Sequence, residues 1–128
     1  MNTEALNTLK QIREGINVLQ TELNDPTLTP QEKGLLADTI INLNRMDDII
    51  INNILHDLIT KINSSNAELK NLISRMEASS EKIAQFSNTI KRISDAVGVL
   101  AEITAKAISV GILWTVKRYS MIPEIQKN

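Results

Sequence analysis

Apolar residues recur at alternating steps of four and three residues in the first part of the chain, from Ala5 to Leu23. This heptad spacing places them on one face of an α-helix. It therefore predicts a first helix over residues 3–24. The helix should end before Pro26, because a proline disfavours helical geometry in the preceding residue and has no backbone N–H group to donate.

A capping box predicts the start of a second helix. Thr29 can cap the helix, Pro30 suits its first position, and Glu32 is spaced to bond back to the cap. The apolar positions that follow cover about half of the helical circumference, which is typical of a helix with two neighbours. We therefore predict a second helix over residues 30–62.

Two interpretations fit the polar run Asn63-Ser64-Ser65-Asn66. Ser65 and Glu68 form another capping box, and small polar residues are unfavourable inside a helix, so we favour a turn here. The alternative is one continuous helix, because a heptad phase runs unbroken through this point. With the turn, a third helix occupies residues 66–119 and a polar tail residues 120–128. The heptad interface of this third helix consists of Leu69, Leu72, Met76, Ile83, Phe86, Ile90 and Ile93.

These patterns predict an all-α protein that forms a single helical unit over residues 1–128. The expected shape is an elongated helical hairpin or coiled-coil bundle, with a short N-terminal helix and a long C-terminal helix. At ~1.5 Å per residue, the third helix would be on the order of 80 Å long and the second about 50 Å. In an antiparallel hairpin, the far end of the second helix would lie level with residue 98 of the third helix, and the rest of the third helix would extend beyond it. The heptad interface would be free to bind other copies of the chain.

The predicted overhang coincides with the most apolar stretch of the chain, residues 96–116. Its polar residues follow one line along the helix, formed by Glu102, Lys106 and Ser109, so roughly three quarters of the circumference is apolar. Such a helix needs to be covered by a bundle core, by other copies of the chain or by a membrane. The residues expected to make membrane or oligomer contacts are Val97, Leu100, Ile103, Ile108, Ile112, Leu113 and Trp114.

Insertion energies argue against a lone transmembrane helix at this segment. Each charged residue at the bilayer centre costs about 2.5–3.5 kcal/mol, and each Val, Leu or Ile returns roughly 0.3–0.6 kcal/mol. Several copies with the polar line turned inward would still have the pattern of a helical pore. Trp114 and Tyr119 lie beside Lys117 and Arg118, as in interfacial anchors. We favour a bundle or coiled-coil core over membrane insertion.

Two polar residues fall on the apolar face of the second predicted helix, and we expect both Asn44 and Asp47 to be buried. Asp47 would pair with a basic residue such as Lys10 or Arg13, or fix the helix register. His56 is the one histidine of the chain. Metal sites in helical bundles need several inward carboxylates and Glu-x-x-His pairs, so the sequence predicts a solvated His56 and no metal or other cofactor.

Composition argues against several other function classes. A net charge of −1 and an aromatic content of 2% provide neither a basic field nor a base-stacking platform for nucleic acid. The serines lack an activating histidine or lysine, and neither a phosphate-binding loop nor a small-molecule site is evident, so we expect no enzyme activity. The chain has no cysteine and its N-terminus does not resemble a classical signal peptide, which leaves its compartment undetermined.

Two functional hypotheses follow from the uncovered apolar segment. The first is a non-enzymatic, self-assembling helical coiled-coil protein, with membrane association or pore formation through residues 96–116. The second is a scaffold or adaptor that binds partner helices and never contacts lipid. The expected partners are therefore other copies of this chain or another helical protein, with a membrane as a further possibility.

Overall fold

The structure is a computed structural model that describes residues 3–52 and 55–121, and the side chains of residues 3–52 and 57–110 among them. These ranges contain four α-helices and no strand, which confirms the all-α fold. The helices are α1 (Thr3–Glu22), α2 (Pro30–Asn52), α3 (Leu55–Glu77) and α4 (Glu81–Met121).

The four helices form a bundle in which the chain runs up and down. The main helix pairs are α1 with α2, α2 with α3, α3 with α4, and α4 with α1. The α1–α2 loop and the α3–α4 loop lie at the same end, because Lys82 pairs with Asp25 and the Ser80 hydroxyl donates a 2.6 Å hydrogen bond to Glu32. We call this the tied end. At the opposite end, the open end, α1 and α3 begin and α2 ends.

The predicted start of α2 is confirmed at atomic detail. The backbone N–H of Thr29 donates a 2.8 Å hydrogen bond to the Glu32 carboxylate, and the N–H of Glu32 donates a 3.1 Å bond to the Thr29 hydroxyl. Helix α2 begins at Pro30 between them. Each residue of the box satisfies a donor that the helix start would otherwise leave free.

The predicted turn at residues 63–66 is wrong, and so are the boundaries 30–62 and 66–119 that depended on it. Helix α3 continues through this run, but one continuous helix over residues 30–119 is not found either, because α3 ends at Glu77 and α4 begins at Glu81. Ser65 and Asn66 are only 4% and 6% exposed. Polar residues are tolerated there because other helices supply partners: Asn42 donates to the Ser65 carbonyl, and Asn66 exchanges two hydrogen bonds with Ser94.

The heptad interface lies inside the bundle of one chain. The chain turns after α3, at residues 78–80, and α4 folds back along α3. Met76 and Ile83, on either side of this turn, are both fully buried. We had assigned this stripe to contacts between copies of the chain. The structure corrects that assignment, because the turn brings the two halves of the stripe together within one core. The whole predicted interface is buried except for Phe86, which is partly buried against the core.

Helix α4 is much longer than its neighbours, with 41 residues against 20 in α1 and 23 each in α2 and α3. The Asn66–Ser94 contact fixes the register of α3 on α4. Helix α3 runs antiparallel to α4 and begins eleven residues before Asn66. Its first residue therefore lies level with residue 105 of α4. The first residue of α1 lies at the same level, because Gly15 lies against Ile93 and α1 begins twelve residues before Gly15.

The predicted overhang is therefore present, but it begins near residue 105 rather than residue 98. Thr104, at 5% exposure, is the last buried residue of α4 among the side chains that the structure describes. We call residues 105–121 the α4 extension. Its seventeen residues project by about 25 Å at ~1.5 Å per residue.

Candidate functional site

The α4 extension continues the face of α4 that packs into the bundle. Val97, Thr104 and Ile108 are spaced at seven and four residues, which places them on one side of the helix. The first two are buried in the bundle, and Ile108 is half-buried just beyond the level at which α1 and α3 begin. Val110, thirteen residues after Val97, falls on the opposite, outer side of α4 and is 66% exposed. The helix face that packs into the bundle thus continues to Ile108, beyond the first residues of the neighbouring helices α1 and α3.

The residues that we expected to contact other copies or a membrane divide into three groups. Val97 and Leu100, at 0% and 2% exposure, belong to the bundle's own core, so that part of the expectation is corrected. They are covered because α1 and α3 reach farther along α4 than the predicted hairpin allowed. Ile103 and Ile108 are half-buried. Ile112, Leu113 and Trp114 belong to the helical backbone of α4, but their side chains lie outside the described residues, as does that of His56.

The predicted polar line lies on the outer side of α4. Glu102, Lys106 and Ser109 are all exposed. Val99, at 51% exposure, shares this outer surface. The polar line therefore faces away from the bundle, and the opposite, apolar side of the extension continues the packed face of α4.

Charge differs in sign between the bundle and the extension. Residues 1–104 contain fourteen acidic and ten basic side chains, whereas residues 105–121 contain three basic side chains and no acidic one. The net charges are therefore −4 and +3. Opposite charges of this size favour contact between the extension of one molecule and the bundle of another.

The open end of the bundle also exposes apolar and acidic side chains. Leu6 near the start of α1 is 55% exposed, and Ile51 near the end of α2 is 45% exposed. Glu4 and Asp57, in the first turns of α1 and α3, are exposed as well. The extension leaves the bundle at this same end.

Asp47 is partly buried and pairs with a basic residue, whereas Asn44 is exposed. The Arg13 Nε donates a 2.8 Å hydrogen bond to Asp47 Oδ2, which raises the pKa of the Arg13 guanidinium. The expectation that Asn44 is buried is wrong because α2 turns a different side toward α3. That side carries Asn42, which is fully buried.

A buried polar layer crosses the middle of the bundle at Asn42. Its Nδ2 donates a 3.0 Å hydrogen bond to the Ser65 carbonyl. In the same layer, the Ser94 hydroxyl donates to Asn66 Oδ1 at 2.8 Å, and Asn66 Nδ2 donates to the Ser94 carbonyl at 3.2 Å. Among the described residues, Asn42 Oδ1 finds no hydrogen-bond partner. These bonds favour one register of α2, α3 and α4 over others.

Ionic groups hold the tied end together. Lys82 and Thr27 bond to the Asp25 carboxylate and keep its pKa well below the usual range, while Asp25 raises the pKa of the Lys82 ammonium. Hydrogen bonds from Ser80 and Thr29 lower the pKa of the Glu32 carboxyl. This cluster joins the two loops, and its charged groups are bonded to one another.

Other kinds of site receive no support from the geometry. Within residues 3–52 and 55–121, no group of three or more His, Cys, Asp or Glu side chains is placed to hold a metal ion. No helix in the described part of the chain combines the length and hydropathy needed to cross a membrane. The chain matches no protein-family model, no curated protein and no solved structure. The α4 extension is therefore the candidate functional site.

Proposed function

We propose that this protein is a non-enzymatic helical assembly protein that binds copies of itself through the α4 extension. The observation that carries the proposal is the length of α4, which continues for seventeen residues beyond the ends of both its neighbours. Its apolar face continues with it, and the half-buried Ile108 still has apolar surface left to bury. Burying an isoleucine fully is worth about 1.5–3 kcal/mol, so covering the part of Ile108 that is still exposed would contribute a fraction of this value in each copy.

A membrane surface is a second candidate partner for the same segment. The sequence of the extension combines apolar residues with three basic residues and Trp114. That composition is typical of helices that lie in the interface of an anionic bilayer. Binding of this kind would use the same apolar face as self-association, so the two partners would compete.

Molar mass and lipid binding test the proposal together. The full chain is measured by light scattering over a dilution series, alone and with neutral or anionic vesicles. Three forms are compared: the unchanged chain, Ile108→Asp on the apolar face, and Ser109→Asp on the polar line as the matched control. We expect the unchanged chain and Ser109→Asp to form oligomers, and Ile108→Asp to remain monomeric with an unchanged helix content.

Two results would contradict the proposal. One is a monomeric unchanged chain at every concentration, with or without vesicles. The other is binding to anionic vesicles by a chain that never self-associates, which would assign the extension to a membrane surface instead. Dye leakage from the vesicles would point to the pore hypothesis rather than to self-assembly.

A further inference from the structure

We infer that two copies associate antiparallel through their α4 extensions, and that the tip of each extension docks on the acidic open end of the other copy's bundle. The inference rests on the proposed function, because it specifies the partner surface for the same extension. It adds a second site at the open end of the bundle, where the apolar residues Leu6 and Ile51 and the acidic residue Glu4 are exposed.

Steric exclusion sets the direction of the pairing. The unpartnered face of the extension continues the face of α4 that packs into its own bundle, through Val97 and Thr104 to Ile108. A helix bound to that face therefore lies directly above the open end, on the side where α2 stands diagonally across from α4. If the second copy ran parallel, its bundle would occupy the same volume as the first. An antiparallel copy places its bundle at the far end of the extension, away from the first bundle.

The length of the extension then decides what its tip meets. Two antiparallel extensions can overlap over all seventeen residues, about 25 Å, before each tip reaches the other bundle. The tip contains Lys117 and Arg118, and the last turn of α2 at the open end has no basic residue to interact with its helix dipole. Cations near a helix C-terminus are stabilising, and Glu4 in the first turn of α1 offsets the positive dipole end that α1 presents at the same surface.

Disulfide cross-linking tests the direction, because the chain has no cysteine of its own. In the full antiparallel overlap, the two-fold axis passes near residue 113. Ile112→Cys would then face its own copy across the axis. Ile108→Cys would be separated from its copy by ten residues, or about 15 Å along the helices. That exceeds the ~7 Å limit between the Cα atoms of a disulfide.

We therefore expect Ile112→Cys to form a cross-linked dimer under mild oxidation, and Ile108→Cys to form at least tenfold less. Equal cross-linking of both variants, or preferential cross-linking of Ile108→Cys, would overturn the antiparallel arrangement. These outcomes leave the proposed function standing, because both require self-association. A monomeric unchanged chain would instead refute the proposed function itself.

Charge reversal tests the docking surface. Glu4→Lys places a positive charge at the open end, and Glu14→Lys makes the same change about 15 Å away along α1. An exposed ion pair is worth up to about 1 kcal/mol, and a two-fold dimer contains each contact twice, so Glu4→Lys should raise the dimer Kd about tenfold. Glu14→Lys should change it less than twofold. Equal effects of the two variants, with matched unfolding midpoints, would show that the tip does not dock at the open end.

Discussion

Gly15 on α1 provides a sharp test of the contact between α1 and α4. A methyl group placed on Gly15 would lie 2.5 Å from Cδ1 of Ile93, and 3.7 Å from Cδ1 of both Ile90 and Leu43. The first distance is far inside van der Waals contact, since carbon atoms pack best at about 3.5–4.0 Å. A methyl group therefore fits at this close approach of the two helices only if the Ile93 side chain shifts.

The effect of Gly15→Ala on stability is the difference between two opposing changes. Replacing glycine by alanine inside a helix gains about 0.5–1 kcal/mol, because alanine loses less backbone entropy on folding. Forcing an extra carbon into a packed core costs about 1–3 kcal/mol. Gly34 in α2 is the matched control, because a methyl group there would meet nothing within 4 Å. We expect Gly34→Ala to gain about 0.5–1 kcal/mol and Gly15→Ala to lose up to about 2 kcal/mol.

A double-mutant cycle identifies the atom responsible. Ile93→Val removes Cδ1, the atom that the new methyl group would strike, and alone it should cost about 0.5–1.5 kcal/mol. In the Gly15→Ala background the same change should cost less or even stabilise, with a coupling energy of about 1 kcal/mol or more. Urea unfolding followed by circular dichroism measures all four forms. Gly15→Ala as stable as Gly34→Ala, with no coupling to Ile93→Val, would refute the packing of α1 on α4.

Two further predictions concern the polar layer and the tied end. Asn66→Leu should lower the free energy of unfolding by about 1–3 kcal/mol, because it leaves the buried Ser94 hydroxyl without its acceptor. Asn42→Leu should lower it less, because Asn42 already has an oxygen without a partner among the described residues. Urea unfolding followed by circular dichroism measures both variants. Since the folded-state pKa values of Asp25 and Glu32 are lowered, their contribution is present above the usual carboxyl pKa of about 4 and is lost as pH falls below it. Asp25→Asn should flatten this pH dependence, and an unchanged acid profile would contradict the assignment.

Local signals in the sequence were sufficient for two parts of the fold. The heptad of α1 and the capping box of Thr29 and Glu32 depend on residues a few positions apart, so the bonds that they predict form within one helix or at its end. The overhang of α4 was also predictable, because it follows from unequal helix lengths. Only its starting point moved, from residue 98 to residue 105.

The helix boundaries in the middle of the chain could not be predicted because they depend on contacts between helices. Ser65 and Asn66 read as a turn in the sequence, and only Asn42 and Ser94, from other helices, make them acceptable in a core. The turn after Glu77 could not be predicted from the heptad pattern, because the spacing of the apolar residues is the same before and after it.

The candidate site shows the same limit. Asn42 was missed, although Leu35 and Ile49 lie seven residues on either side of it. This spacing indicates a shared helix face, which the structure turns toward α3. Val97 and Leu100 were assigned to an intermolecular contact, because the number of helices available to cover them could not be known from the sequence.

The molar mass of the unchanged chain over a dilution series tests self-assembly through the α4 extension most directly. One chain has a mass of 14.3 kDa. The proposed arrangement predicts a mass that approaches twice this value as concentration rises and returns to that of one chain on dilution. Ile108→Asp should hold the mass at 14.3 kDa throughout. A constant mass of one chain for the unchanged protein, at the highest concentration reached, would contradict the account.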